Sequence, residues 1–160
     1  MAEKATSRGR SLSLYEGEQD VKLRTWVELA RAFQLIQRRV TSLVSGHGLT
    51  LPQFDVLATL RFGEGLTQQE LARRLLVTKG NVCGVIDRLE GLGWVERRPD
   101  ANDRRANRLH LTAGGRRKID SVLPEHEALV ADAMRVLSAA DAKALRALLG
   151  ELARANDDAT

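Results

Sequence analysis

Two short helical patterns separated by a tight turn constrain the fold of this 160-residue chain more than any other feature. The first begins at Thr67-Gln68-Gln69-Glu70, where the Thr67 and Glu70 side chains can each satisfy a free backbone amide in a capping box. A turn-like gap at residues 77–80 separates it from a second pattern, which ends near Gly91-Leu92-Gly93. The apolar positions share one face of each helix: Leu71, Ala72, Leu75 and Leu76, then Val82, Val85, Ile86 and Leu89.

A charged hairpin follows the second helix. Residues 94–98 and 108–112 alternate polar and apolar side chains as short strands do, and a polar segment joins them. Between Arg97 and Arg108 the hairpin holds five arginines against two aspartates, which favours a polyanion as partner over a loop that only aids solubility. The whole order predicts a winged helix-turn-helix, in which the second helix enters the major groove of DNA and the wing reaches phosphates or the minor groove.

Longer helical patterns flank this unit on both sides. Over residues 23–44 apolar side chains recur at steps of three and four, and a further helix with Pro52 in its first turn follows. After Thr112, a predicted N-cap, helical spacing resumes, and we expect Pro124 to bend the helix. These helices hold more apolar surface than a small winged unit needs. That surplus predicts a partner surface, with an extended monomeric core as the alternative.

We therefore predict a mainly α-helical fold with a small β-hairpin wing, built as one domain over residues 21–160. The winged helix-turn-helix occupies about residues 51–112, and the flanking helices at about 21–45 and 113–156 supply the partner surface, which the family resemblance described below implies is a dimerisation surface. Residues 1–20 lack periodicity and are expected to form a flexible arm.

Charge is distributed unevenly along the chain. The formal net charge is only +4, yet residues 61–118 hold 13 basic against 7 acidic residues, and residues 119–160 hold 4 against 8. A basic middle section suits a polyanion-binding module whose flanks have another task.

Several classes of protein are disfavoured by the residues available. A single cysteine, Cys83, allows neither an intrachain disulfide nor a zinc cluster built on a Cys pair, and His47, His110 and His126 lack metal-ligand spacing. With no nucleophile–base pair and no phosphate-cradling Gly loop, we expect neither an enzyme nor a cofactor. No apolar run approaches the roughly 18 residues that a membrane helix needs, which favours a cytoplasmic protein without membrane contact.

The motifs resemble those of the MarR (multiple antibiotic resistance regulator) family of transcriptional regulators. Leu66-Thr67-Gln68-Gln69-Glu70-Leu71-Ala72 is similar to the family's helix-turn-helix opening, and Ile86-Asp87-Arg88-Leu89-Glu90 to the end of its recognition helix. The segment from Pro99 to Arg105, followed by Leu109-His110-Leu111-Thr112-Ala113-Gly114-Gly115, is similar to its wing. The resemblance covers roughly residues 23–155.

For the wing, the resemblance implies that the Arg105 guanidinium enters a minor groove while Asp103 holds the wing in shape. Arg104 lies beside them and is expected to contact DNA as well. A narrow minor groove concentrates negative potential and favours Arg, and a carboxylate two residues away can fix the loop without facing phosphates.

On the second helix, Gly80, Gly84 and Gly91 are expected on the outward face, so the backbone there could approach DNA closely unless these glycines are simply tolerated. We expect base reading mainly from Thr78, Lys79 and Asn81 at the start of this helix, and Gly80 among them is expected to contact DNA as well. Gln68, Arg73 and Arg88 are candidate phosphate contacts, for which an ordinary solvated surface is the alternative.

The resemblance also implies a homodimer that binds a pseudo-palindromic operator on double-stranded DNA, and a repressor released by a small phenolic or anionic aromatic ligand. Trp26, Phe33, His47 and Phe54 could line the ligand crevice, although aromatic residues at helical spacing are more often core. Two alternatives stay open: a redox-responsive regulator acting through Cys83, and an activator or architectural protein without a ligand.

Overall fold

A computed structural model describes residues 20–101 and 106–157 of the chain. It has the predicted mainly helical architecture with a small sheet. The elements in chain order are α1 (Val21–Gly46), α2 (Leu51–Phe62), β1 (Leu66–Thr67), α3 (Gln68–Arg74), α4 (Lys79–Gly91), β2 (Val95–Pro99), β3 (Asn107–Leu111), α5 (Ala113–Asp120), α6 (Leu123–Met134) and α7 (Ala139–Asp157).

Side-chain caps begin most of the helices, as the sequence predicted for two of them. The Thr67 hydroxyl accepts from Glu70 N at 3.2 Å, and Thr67 N donates to the Glu70 carboxylate at 2.7 Å, which completes the capping box of α3. Thr112 caps α5 by accepting from Gly115 N at 3.0 Å. These bonds satisfy amides that would otherwise lack partners at the helix starts.

The sheet has three antiparallel strands in the order β1-β3-β2, one more strand than the sequence predicted. Strand β1 pairs Leu66 with Leu109, and the wing strands pair Val95 with Leu111. A two-residue strand has no periodicity to detect, so its existence depends on the partner strand. Directly before β1, Gly65 N donates to Leu109 O at 2.9 Å, which holds the start of β1 against β3.

The hydrophobic core is centred on the winged unit and extends into α1 and α5. Helices α2, α3 and α4, strand β3 and helix α5 supply side chains that are completely buried: Leu57, Leu60, Leu71, Ile86, Leu89, Leu109 and Ile119. Gly115 allows α5 to approach the wing closely, since a Cβ there would lie 1.9 Å from Trp94 O. Helices α6 and α7, by contrast, contain no buried residue.

The expectation that Pro124 bends one continuous helix is wrong, because one helix ends and another begins there. Helix α5 ends at Asp120, and α6 begins at Leu123 with the proline in its first turn. A proline inside a helix removes an amide donor and clashes with the preceding turn, whereas the first turn has no need of that donor.

Most of the predicted arm, residues 1–19, lies outside the described residues. Asp20 is described and caps α1, because its carboxylate accepts from Lys22 N at 2.7 Å. Among the described helices, none is both long and apolar enough to cross a bilayer.

Candidate DNA interface

Helices α3 and α4 form a helix-turn-helix in which hydrogen bonds close a short turn. Val77 N donates to Ala72 O at 3.0 Å, and the Thr78 hydroxyl accepts from Asn81 N at 3.3 Å to cap α4. Leu76 takes a left-handed conformation in the turn, with φ 53°, and its side chain is exposed. The second helix therefore begins at a fixed place relative to the first.

Helix α4 buries one face in the core. Its opposite face is exposed and bare, meaning that glycines stand where side chains would project. Val82, Ile86 and Leu89 are buried in the core. Gly80, Gly84 and Gly91 lie outward, and a Cβ added at any of them would meet nothing within 4 Å. The bare outward face that the sequence predicted is thus confirmed as a structural feature.

The residues of α4 expected to read bases, together with Gly80, cluster at the exposed start of the helix. Thr78, Lys79, Gly80 and Asn81 are all exposed there, and Thr78 combines this position with its role as N-cap. Arg88 is exposed further along the same helix, and Arg73 is exposed in the last turn of α3. Their contacts with DNA remain predictions.

The base of the wing is closed by a buried acid that the sequence reasoning overlooked. The Asp100 side chain is 5% exposed and forms an ion pair with Arg108, whose Nη1 also donates to Gly65 O at 2.6 Å. Asp100 N donates to Ala106 O at 3.0 Å across the hairpin. The available signal was an acid directly after β2, diagonally across the hairpin from Arg108 of β3.

The predicted wing-tip residues fall between the two described ranges. Asp103, Arg104 and Arg105 lie outside the described residues, so their proposed roles in holding the wing and contacting DNA stay predictions.

Arg97 of β2 links the wing to the helix-turn-helix, a second feature that the sequence reasoning missed. Its Nη2 donates to Asp87 Oδ1 at 2.5 Å, and its Nη1 pairs with Glu90 on the same face of α4. Burial alone would lower the Arg97 pKa, but the hydrogen bonds and charges of Asp87 and Glu90 outweigh it and raise the pKa. Nothing in the sequence spacing indicates this contact, because it depends on how β2 packs against α4.

Gln68 takes part in the same cluster rather than pointing freely outward. With its amide oxygen turned toward Arg97, it accepts from Nη2 at 2.8 Å and from Nε at 3.2 Å. In this orientation the Gln68 amide nitrogen lies 3.6 Å from Cys83 Sγ. The residue proposed as a phosphate contact thus also joins the start of α3 to the wing.

The four residues predicted to line a ligand crevice do not meet in one pocket. Trp26 and Phe33 of α1 line a groove with Leu76 and the end of α7, including Leu152. His47 lies in a separate hollow beside Glu125, with Nε2 3.3 Å from the carboxylate.

Phe54, the fourth predicted ligand residue, is buried in the core. Its ring packs against His126 at a centroid distance of 4.8 Å. Phe54 thus follows the alternative stated for aromatic residues at helical spacing, which is that they belong to the core.

Cys83 is half-buried on α4, beside Gln68. Across the described part of the chain, no group of three or more His, Cys, Asp or Glu side chains is arranged to hold a metal ion.

Comparisons with known proteins agree with this geometry. A family model described as the MarR family matches residues 47–106. The chain is 32% identical over 127 residues to the HTH-type transcriptional regulator PecS of Dickeya dadantii, a match that covers 78% of this chain and 76% of PecS.

Two solved structures have similar folds. Apo wild-type MarR from Escherichia coli is 30% identical, with a TM-score of 0.66, over 78% of this chain and 93% of that chain. Bordetella bronchiseptica BpsR, whose structure is described as showing how 6-hydroxynicotinic acid regulates its DNA binding, is 25% identical, with a TM-score of 0.72, over 81% of this chain and 98% of that chain.

Proposed function

Because the chain belongs to the MarR family of transcriptional regulators, we propose that it is a sequence-specific repressor that binds a pseudo-palindromic operator as a homodimer. The observation that carries this proposal is the bare, exposed face of α4 beside a wing whose base is held by Asp100 and Arg108. A recognition helix and a wing in this arrangement can occupy adjacent grooves of one duplex. Action on DNA also favours a cytoplasmic location.

In this proposal the start of α4 reads bases in the major groove through Thr78, Lys79 and Asn81, and Gly80 lets the helix backbone lie close to the DNA. Arg73, Arg88 and Gln68 contact phosphates, which fixes the orientation of the helix without reading sequence. Arg104 and Arg105 bring the wing to the minor groove, and Asp103 holds the wing tip.

A second copy of the chain is the proposed partner of the terminal helices. Trp26 and Phe33 on α1 are exposed, as are Leu148 and Leu152 on α7. Large apolar side chains grouped on two neighbouring helices favour burial against another subunit. Two recognition helices related by a two-fold axis would then meet half-sites about one helical turn apart.

Release by a small anionic aromatic compound is the proposed regulation. The relative BpsR is regulated by 6-hydroxynicotinic acid, a compound of this class. The groove that contains Trp26 and Phe33 offers apolar and aromatic surface between the outer helices and the helix-turn-helix turn. A ligand that binds the DNA-incompetent arrangement more tightly lowers operator affinity by the ratio of its two affinities.

The experiment is selection of binding sites from a random double-stranded DNA library, followed by titration of phenolic and pyridine carboxylic acids and of hydrogen peroxide against the selected site. Release by an acid supports the ligand-responsive repressor. Release by peroxide alone, abolished in Cys83→Ser, would instead support redox control, and release by neither would favour the ligand-free activator or architectural protein.

Arg105→Ala tests the wing separately. Losing a minor-groove guanidinium should weaken binding about tenfold or more and lower the slope of log affinity against log salt by up to about 0.9, with the fold unchanged. Arg117→Ala, an equal loss of charge at an exposed position of α5, serves as the control and should leave affinity within about twofold. Equal affinity of wild type and Arg105→Ala would remove the wing insertion from the proposal.

A further inference from the structure

Arg97 has an arrangement that a direct DNA contact does not explain. The residue lies on β2, yet its side chain is only 22% exposed and turns back toward α4. Its Nη2 and Nη1 engage Asp87 and Glu90, and its Nη2 and Nε can reach the Gln68 amide oxygen. A planar guanidinium carries its donors in a rigid fork, and here that fork is occupied by groups of the protein itself.

The two acids that it engages stand on the recognition helix. Asp87 and Glu90 are three residues apart, so they lie on the same side of α4, and their side chains are 64% and 42% exposed. Carboxylates on a helix that approaches DNA repel the phosphates unless a cation compensates them. The partly buried guanidinium between them is therefore placed to supply that compensation.

Resting on the DNA-binding function proposed above, we propose that Arg97 is a positioning residue whose contribution to DNA affinity is to mask Asp87 and Glu90, allowing α4 to approach the phosphate backbone. The effect passes through the two carboxylates and not through a contact between Arg97 and DNA. The same guanidinium joins the wing to α4 and to Gln68 at the start of α3, so the masking charge is held in a fixed place.

Charge compensation and direct phosphate contact by Arg97 predict different affinities for a set of variants. If Arg97 acts by compensation, its removal harms binding only while the two carboxylates are present. If it contacts a phosphate directly, the loss persists after the carboxylates are neutralised.

The experiment compares wild type with Arg97→Met, Asp87→Asn/Glu90→Gln, and the three substitutions combined. The probes are the DNA site selected by the wild-type chain and a mixed-sequence duplex of the same length. Arg97→Met should weaken binding to both probes by about tenfold or more at low salt, and this loss should shrink as salt screens the repulsion.

Neutralising the acids should raise affinity by less than about threefold when Arg97 is present, because Arg97 already offsets part of their charge, and by about fivefold or more in the Arg97→Met background. Arg97→Lys keeps the charge and should stay within about threefold of wild type. Arg98→Met is the matched control, because Arg98 is the next residue of β2 and its guanidinium pairs with Glu96 instead. Any loss it causes should not be reversed by Asp87→Asn/Glu90→Gln.

Unchanged binding by Arg97→Met would overturn the inference, as would a triple variant no better than Arg97→Met. If circular dichroism shows that Arg97→Met is unfolded, Arg97→Lys and Arg97→Gln are compared instead. Equal losses of DNA affinity in these two variants would contradict charge compensation. Failure of the wild-type chain to bind either duplex would refute the proposed function itself, which keeps the two failures distinct.

Discussion

Burial raises the pKa of the Asp55 carboxyl on α2 above its usual 3.8, and the charge of His126 opposes the shift only in part. The folded chain therefore holds the Asp55 proton to a higher pH than the unfolded chain does. Keeping this carboxylate charged costs stability, so the cost is absent below pH 3.8 and grows as pH rises through the native pKa.

Asp55→Asn should consequently increase the free energy of unfolding at neutral pH, because the amide has no charge to desolvate. The difference from wild type should disappear in acid, below the unfolded pKa of the carboxyl. Urea denaturation from pH 3 to pH 8 measures it. A variant less stable than wild type at pH 7 would show that the carboxylate has a stabilising partner that outweighs its burial.

The recognition helix offers a prediction at the scale of a whole element. Gly84 lies inside α4 with open space beside it, so Ala would fit and would favour the helix by about 1 kcal/mol. A glycine kept there at that cost is consistent with close approach of the helix backbone to DNA.

Gly84→Ala should raise the unfolding free energy by about 1 kcal/mol and yet lower affinity for the selected DNA site. Gly46→Ala is the control, because it adds the same methyl group in open space at the end of α1, outside the recognition helix. It should leave affinity nearly unchanged. Tighter or equal binding by Gly84→Ala would contradict a close approach of the backbone at that position.

The individual helices were largely predictable because their signals are local. A capping box at Thr67 and Glu70, a cap at Thr112 and apolar steps of three and four each depend on residues close together in the chain. The break before Pro124 was misjudged as a bend, since the same proline is compatible with either outcome until the packing of α5 is known.

The site was less predictable because much of it is made by contacts between elements. Asp100 meets Arg108 across the wing, and Arg97 meets two acids on α4. Such pairs leave no periodic pattern in the sequence. Sequence similarity identified the wing, but it could not indicate which charges the fold brings together.

At the scale of the whole molecule, the terminal helices expose apolar surface that a monomer leaves in water. Leu152 on α7 is 50% exposed, and Leu148 on the same helix is 64% exposed. Neither α6 nor α7 has a buried residue within the described chain. We therefore expect these helices to be covered by a second subunit.

Light scattering should give twice the 17.7 kDa mass of one chain. Leu152→Glu should shift the population toward monomer, because it places a charge in the subunit contact. Leu92→Glu is a matched control: Leu92 is 52% exposed but lies at the end of α4, and this variant should stay dimeric. A wild-type chain that runs as a monomer at micromolar concentration would exclude the dimer.

The most direct measurement is the ratio of affinities of the wild-type dimer for its selected site and for a mixed-sequence duplex of equal length, at about 150 mM salt. A sequence-specific regulator should prefer its selected site by at least about a thousandfold, and that site should contain two inverted half-sites about one helical turn apart. Equal affinity for the two duplexes would contradict sequence-specific regulation by this chain.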